Sequence, residues 1–164
     1  MTNRRAVEAI AADAYHVDAS IQLKFGNEGP AWMVADASIR AAERSEDPVF
    51  IACSARIVTH ALMDGHHFGE AKDVAGRMSR RLASSWIPVA ERRAALLVDL
   101  ARAYALWGRH GHAYEALRSA GAHAPEELTG RRDLHPLIRE VATNAPSGTR
   151  RAANDWAKSL GVLA

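Results

Sequence analysis

The sequence predicts an all-α protein built from antiparallel helix pairs. Apolar residues recur at steps of three and four along Ala-rich segments, and Gly and Pro fall between those segments. No run of residues alternates with the period of two that a half-buried strand shows. The 164 residues are 48% hydrophobic and 24% charged, which is typical of one globular domain. We therefore predict about eight helices in a single domain spanning residues 1–164.

The first two predicted helices are separated by a glycine-rich turn. The first covers residues 4–25, and its apolar residues follow helical spacing. These residues are Val7, Ile10, Ala14, Val17, Ile21 and Phe25. Residues 26–29 end this helix, and Pro30 is suited to the first position of the second helix. The second helix is expected to stop before Asp47.

The remaining helices are bounded by caps and prolines. Asp47 is the predicted N-cap and Pro48 the first residue of the third helix, which reaches residue 63. Later helices are predicted at residues 68–82, 89–107, 111–123, 134–145 and 149–160, with a connector at 84–88.

The fifth and sixth helices carry the pattern of a 34-residue repeat. With Ala94 as position 1, small residues occupy positions 8, 20 and 27, large residues occupy 4, 7, 11 and 24, and Gly108 is position 15. Small residues let two antiparallel helices approach, and large residues fill the space around them. Looser copies surround Gly26 and Gly65. We predict repeats at about 12–47, 51–85 and 94–127, with capping helices at 131–162.

This pattern resembles the tetratricopeptide repeat, which implies a right-handed solenoid. The segment RAALLVDLARAYALWGRHGHAYEALRSAGAHAPEELTGRRDLHPLIREV, with Leu160-Gly161-Val162 after it, resembles the C-terminal tetratricopeptide-like half of actinobacterial XRE-type helix-turn-helix regulators. The resemblance implies a sensory or dimerising half of a transcription regulator. The chain has no room for the helix-turn-helix domain. We expect a fragment or a stand-alone paralogue, without direct DNA binding.

The resemblance also suggests a binding groove. In tetratricopeptide stacks the first helix of each pair lines a concave surface, near positions 2, 5, 9, 12 and 13. The candidate groove residues are His16, Ser20, Thr59, Met63, Val98, Arg102 and Leu106. Such a groove suits a peptide or a helix. Arg102 either binds a ligand carboxylate or pairs with Asp99 on its own helix.

No catalytic, cofactor or metal residues are predicted. GxSxG, HExxH and phosphate-binding glycine loops are absent from the sequence. Cys53 and His60 are about 10 Å apart along a helix, which is too far for a nucleophile and its base. The histidines at 66, 67, 110 and 112 are interpreted as solvated turn residues, with a surface metal site as the alternative.

The sequence has neither the apolar core of a signal peptide nor an apolar stretch of about 18 residues, so we expect a cytoplasmic protein without a membrane partner. The formal net charge is +2, and most of the four Arg doublets have acidic neighbours, so direct nucleic-acid binding is not expected. The four tryptophans are predicted to pack between helices, with Trp86 the most exposed. We predict a non-catalytic regulatory module that binds a partner or self-associates. The alternative is a small-molecule or signal-peptide sensor with an enclosed pocket.

Overall fold

The computed structural model describes residues 3–84 and 90–163. Within these ranges the chain forms nine α-helices, one short 3-10 helix and no strand, which confirms the all-α class. The helices are α1 (Asn3–Lys24), α2 (Glu28–Ser45), α3 (Pro48–Asp64), α4 (Phe68–Ser84), α5 (Ala90–Leu106), α6 (His110–His123), α7 (Pro125–Thr129), the 3-10 helix (Arg132–Leu134), α8 (His135–Asn144) and α9 (Ser147–Ser159).

The helices form two compact units, Met1–Ile87 and Pro88–Ala164, where the sequence predicts one domain. In the first unit α1 packs on α2 and α3, and α3 also packs on α2 and α4. In the second unit α5 packs on α6 and α8, and α8 also packs on α6 and α9. Each unit therefore contains two helix pairs whose first helices are neighbours.

The long helices begin and end within a few residues of their predicted limits. The Asp47 carboxylate accepts a 2.8 Å hydrogen bond from the Val49 backbone N–H, and Pro48 occupies the first turn, so the predicted N-cap is confirmed. Helix α7 and the 3-10 helix were not predicted from the sequence, because segments of five and three residues are too short to show a helical period of apolar residues. Most of the predicted connector, with Trp86, lies outside the described residues.

Three turns between paired helices have the same backbone geometry. Gly26, His66 and Gly108 adopt the left-handed conformation, with φ of 72°, 60° and 72°. In each turn the next residue donates a hydrogen bond to the carbonyl five residues earlier, as in a Schellman motif. The three turns therefore end α1, α3 and α5 in the same way.

A fully buried alanine follows each of these left-handed residues by five positions. These alanines are Ala31, Ala71 and Ala113. The second turn residue is therefore His66, not the Gly65 suggested by the sequence, and the intervals between turns are 40 and 42 residues. The turn after α3 therefore lies one residue later in the chain than the predicted repeat register places it.

The seam between α1 and α2 is built from small residues. Ala12, Ala19, Ala31 and Ala35 are all at most 1% exposed. The buried Ser38 hydroxyl donates a hydrogen bond to the Ala12 carbonyl at 2.9 Å. The Ser54 hydroxyl of α3 lies 2.7 Å from the Ser38 hydroxyl. Small side chains and hydroxyl hydrogen bonds therefore hold the first three helices at close range.

The core of the second unit is built from larger residues. Leu96 of α5, Leu117 of α6 and Leu128 of α7 are at most 2% exposed, and Ile138 and Val141 of α8 are fully buried. Burying a side chain of this size contributes about 1.5–3 kcal/mol. These five large apolar residues are thus used for folding.

Candidate interaction surfaces

Polar side chains of α1 and α3 lie close together around His16. We call Asp13, His16, Cys53, Arg56 and His60 the α1–α3 cluster. The His16 ring donates a hydrogen bond to the Cys53 backbone, and the charges of the other three residues act on the ring. These residues occupy the repeat positions from which a tetratricopeptide-like groove would be lined.

Burial lowers the pKa of His16 below its ordinary value. Asp13 and the hydrogen bond to Cys53 raise that pKa, while Arg56 and His60 lower it further. The imidazole is therefore neutral at pH 7. Its Nδ1 atom is buried and has no hydrogen-bond partner among the residues that the structure describes.

The other predicted groove residues of the first unit are less accessible. The Ser20 hydroxyl is partly buried and donates to the His16 carbonyl at 2.8 Å. Thr59 is fully buried and donates to the Ala55 carbonyl at 2.8 Å, and Met63 is also buried. Because the repeat is shifted by one residue, His60 occupies the groove position assigned to Thr59.

Arg102 is engaged by carboxylates of its own unit. Its guanidinium lies 3.4 Å from Asp99, which is fully buried, and 3.5 Å from Asp133. Of the two interpretations of Arg102, the pairing with Asp99 is thus the one observed. Val98 is buried, whereas Leu106 is 55% exposed, so the predicted groove residues of α5 do not form one accessible surface.

The histidines of the turns have separate environments. His66 is the left-handed turn residue, and the His112 ring stacks on Tyr104 with 5.2 Å between centroids. His110 Nε2 lies 3.4 Å from a Glu140 carboxylate oxygen. Over residues 3–84 and 90–163, no group of three or more His, Cys, Asp or Glu side chains is placed to hold a metal ion.

A cavity of about 650 Å³ lies between the start of α2, the end of α3 and the start of α4. Its apolar wall includes Val58, Leu62 and Val74, and Trp32 and His67 also line it. Arg102, the residue expected inside a ligand pocket, is not part of its lining. This cavity was not predicted from the sequence.

The large apolar residues of α1 face solvent. We call Val7, Ile10, Ala14, Val17, Ile21 and Phe25 the α1 stripe. Its five large members are 47% to 73% exposed, and Ala14 is also exposed. The residues of α1 that are buried are Ala9, Ala12 and Ala19, on the opposite side of the helix. The spacing of apolar residues in the sequence shows that they share one side of α1. The alanines on the opposite side are the sequence feature that indicates which side packs on the neighbouring helices.

Two tryptophans predicted to pack between helices are exposed. Trp32 is 43% exposed and Trp107 is 44% exposed, with the Arg109 guanidinium 5.3 Å from the Trp107 ring. Trp156 does pack, edge to face on Tyr114 at 5.6 Å. The packing prediction is therefore wrong for the first two, whose rings lie near the turns after α1 and α5.

No family model, curated protein or solved structure matches the chain. No helix in the described ranges combines the length and the apolar character needed to cross a membrane. The fold and its surfaces are therefore the basis for any assignment of function.

Proposed function

We propose that this chain is a non-catalytic, tetratricopeptide-like module that binds a protein partner. The observation that carries the proposal is the α1 stripe, which presents five large apolar side chains to solvent along about 27 Å of one helix. Contiguous apolar surface of this kind marks interaction sites in monomeric proteins. The alanines on the other side of α1 already pack on the first unit.

Two features support the tetratricopeptide-like repeat. The three Schellman turns share one register with a buried alanine five residues later, and the first helices of consecutive pairs are neighbours in each unit. These are the relations expected in a solenoid of helix pairs. The regulatory role rests on the resemblance to the C-terminal half of helix-turn-helix regulators, and the cytoplasmic location is part of the same proposal.

The α1–α3 cluster offers a second surface to the partner. His16, Arg56 and His60 supply polar groups on the groove side, whereas the α1 stripe supplies apolar area on the outer side. We assign orientation of a bound segment to the cluster and most of the apolar binding surface to the stripe. A groove residue then affects specificity more than affinity.

A photo-crosslinking experiment tests the proposal. A benzophenone amino acid replaces Val17 in the stripe or, as a control, Glu43, which is exposed on α2. In lysate of the source organism we expect a discrete conjugate from position 17 and none from position 43. The conjugate should disappear when Ile10→Ser and Ile21→Ser are added. Equal labelling at both positions would contradict the proposal.

The cavity between α2, α3 and α4 favours the sensor as a second candidate function. Its volume of about 650 Å³ falls within the range of small-molecule sites. The substitution Val74→Phe narrows the cavity without altering the α1 stripe. We expect this variant to form the position-17 conjugate as the parent does. Loss of the conjugate would favour a ligand in the cavity that controls partner binding.

A further inference from the structure

The α1 stripe has the spacing of a coiled-coil seam. If Val7 is heptad position a, Ile10 is d, Ala14 is a, Val17 is d and Ile21 is a. The next d position is Lys24, the last residue of α1, and Phe25 follows it at e. A regular 3-4-3-4 spacing presents knobs that fit the holes of another helix. The geometry of the stripe therefore selects a helix as its occupant, rather than a strand or an extended peptide.

The charges that flank the stripe are acidic on both sides. Asp13 is at position g and Asp18 at position e, and both side chains are exposed. Neither forms an ion pair within the described part of the chain, and Asp18 accepts only a neutral hydrogen bond from Gln22. The flanks of a coiled-coil seam are where charges determine the choice of partner.

The charges on the other side of α1 are already paired. Arg5 lies 2.6 Å from Glu46, and Glu8 lies 2.9 Å from Arg44. The contacts of α1 with α2 thus use two ion pairs, whereas no ion pair of Asp13 or Asp18 is found in the part of the chain that the structure describes. A docking helix with basic flanks would supply cations to these aspartates.

A second copy of the chain does not complement this surface. In a parallel pair of α1 helices, Asp13 at g would face Asp18 at e of the other copy, because g contacts the e position five residues later. In the antiparallel register with most overlap, Lys24 would face Val7 and the aspartates would face neutral residues. Neither arrangement supplies a cation to the aspartates.

We propose that the α1 stripe docks a basic amphipathic helix of a partner protein, with apolar residues at the seam and Lys or Arg on both flanks. This inference rests on the proposed function, since it specifies the partner of the same surface. An anionic membrane is disfavoured by the same charges, because the basic residues of α1 lie at its ends and the two aspartates lie between them.

Two synthetic helices provide the test. Each has about three heptads with Leu at a and d, and they differ only at e and g, which are Lys in one and Glu in the other. Titration of the full chain is followed by fluorescence anisotropy of the labelled peptide. We expect the Lys peptide to bind about tenfold more tightly than the Glu peptide, with the preference weakened by salt.

Charge-reversal variants locate the interaction. Asp13→Lys with Asp18→Lys should reverse the preference between the two peptides. The matched control Glu43→Lys, on an exposed position of α2, should leave the preference unchanged. Ile10→Ser with Ile21→Ser should abolish binding of both peptides. Circular dichroism of each variant confirms that its helix content is retained.

The outcomes separate this inference from the proposed function. Equal binding of both peptides, or tighter binding of the Glu peptide, would overturn the basic partner and leave the docking surface intact. Binding of neither peptide while the position-17 conjugate still forms would likewise overturn this inference alone. If the position-17 conjugate is absent as well, both this inference and the proposed function are overturned. A homodimer that Ile10→Ser dissociates, or binding to phosphatidylserine vesicles in place of the peptides, would also overturn it.

Discussion

Helices α1 and α5 begin equivalent helix pairs but place their large residues in opposite directions. Both end in a left-handed glycine and pair with a helix that contributes a buried alanine five residues later. On α5 the large residues Leu96, Leu97 and Leu100 are buried, whereas on α1 the buried residues are alanines. Helix α1 therefore pairs with α2 without burying any of its large apolar side chains. The large residues are then available for a core or for a partner.

The largest expected difference is in the response to truncation of a large side chain. Leu96→Ala should lower the free energy of unfolding of the second unit by about 2–5 kcal/mol, because Leu96 is only 1% exposed. Ile10→Ala should change stability by less than about 0.5 kcal/mol, because Ile10 is 69% exposed. Urea denaturation followed by circular dichroism measures both. Similar losses for the two variants would show that the α1 stripe is buried in solution.

Arg102→Ala tests whether this residue stabilises the fold or binds a ligand. Removing the guanidinium leaves the buried Asp99 carboxylate without one of its cationic contacts, which we expect to cost about 2 kcal/mol of stability in the second unit. Peptide binding at the α1 stripe should be unchanged. A variant of unchanged stability with weakened binding would instead restore the groove interpretation of Arg102.

The left-handed turn residues predict two changes of opposite sign. Gly108→Ala should destabilise the second unit by about 1 kcal/mol, since a Cβ there meets no atom within 4 Å and the cost comes from the positive φ alone. His66→Gly should stabilise the first unit by about 0.5 kcal/mol, because the same strain is removed while the edge contact of His66 with Phe68 is lost. Thermal unfolding of the two variants gives the comparison. The repeat register would be wrong if both substitutions had the same sign.

The smallest expected effect is a pH dependence of the first unit. Since burial lowers the pKa of His16, the unfolded chain binds a proton more readily than the folded chain as pH falls below about 6.5. This contribution to stability is therefore complete above that pH and is lost progressively as the pH falls below it. The carboxyl groups of Glu8, Asp73 and Asp133, whose pKa values are lowered by basic partners, lose their contributions only at more acidic pH.

His16→Gln isolates that dependence. Denaturation midpoints at pH 7 and pH 5 should differ less in this variant than in the parent chain. The pKa of His123 is also lowered, by burial and by Arg93, so His123→Gln is the matched control for the second unit. An unchanged pH profile in His16→Gln would mean that the His16 ring is hydrated in the folded state.

Local signals in the sequence were enough to predict the eight longer helices. The Asp47–Pro48 pair specified the start of α3, because an N-cap and a proline at the first position act through neighbouring backbone groups. The second predicted repeat began one residue too early, because Gly65 was taken as its turn residue. In the structure His66 is the residue that adopts the left-handed conformation. Tertiary packing supports that strained residue, and a single sequence carries no signal for it.

The interaction surfaces were predicted only in part. His16 was predicted as a site residue, and it belongs to the α1–α3 cluster. On α3 the predicted register was one residue too early, so the buried Thr59 was assigned to the groove and Arg56 and His60 were not. The α1 stripe was visible as a helical pattern, yet periodicity alone does not state which side of a helix is buried. To predict which side is buried, the size of the residues on both sides must be compared. On α1 the residues opposite the stripe are alanines, which allow close packing.

The alanine seam of α1 also divides the conformational entropy between folding and recognition. Alanine has no side-chain rotamers to lose, so the buried alanines between α1 and α2 pack without a loss of side-chain entropy. The five large residues of the stripe keep their rotamers until a partner docks, and each then loses roughly 0.5–1 kcal/mol of rotamer freedom. A few kcal/mol of the burial free energy is thus offset on binding. We therefore expect a complex that forms and dissociates readily.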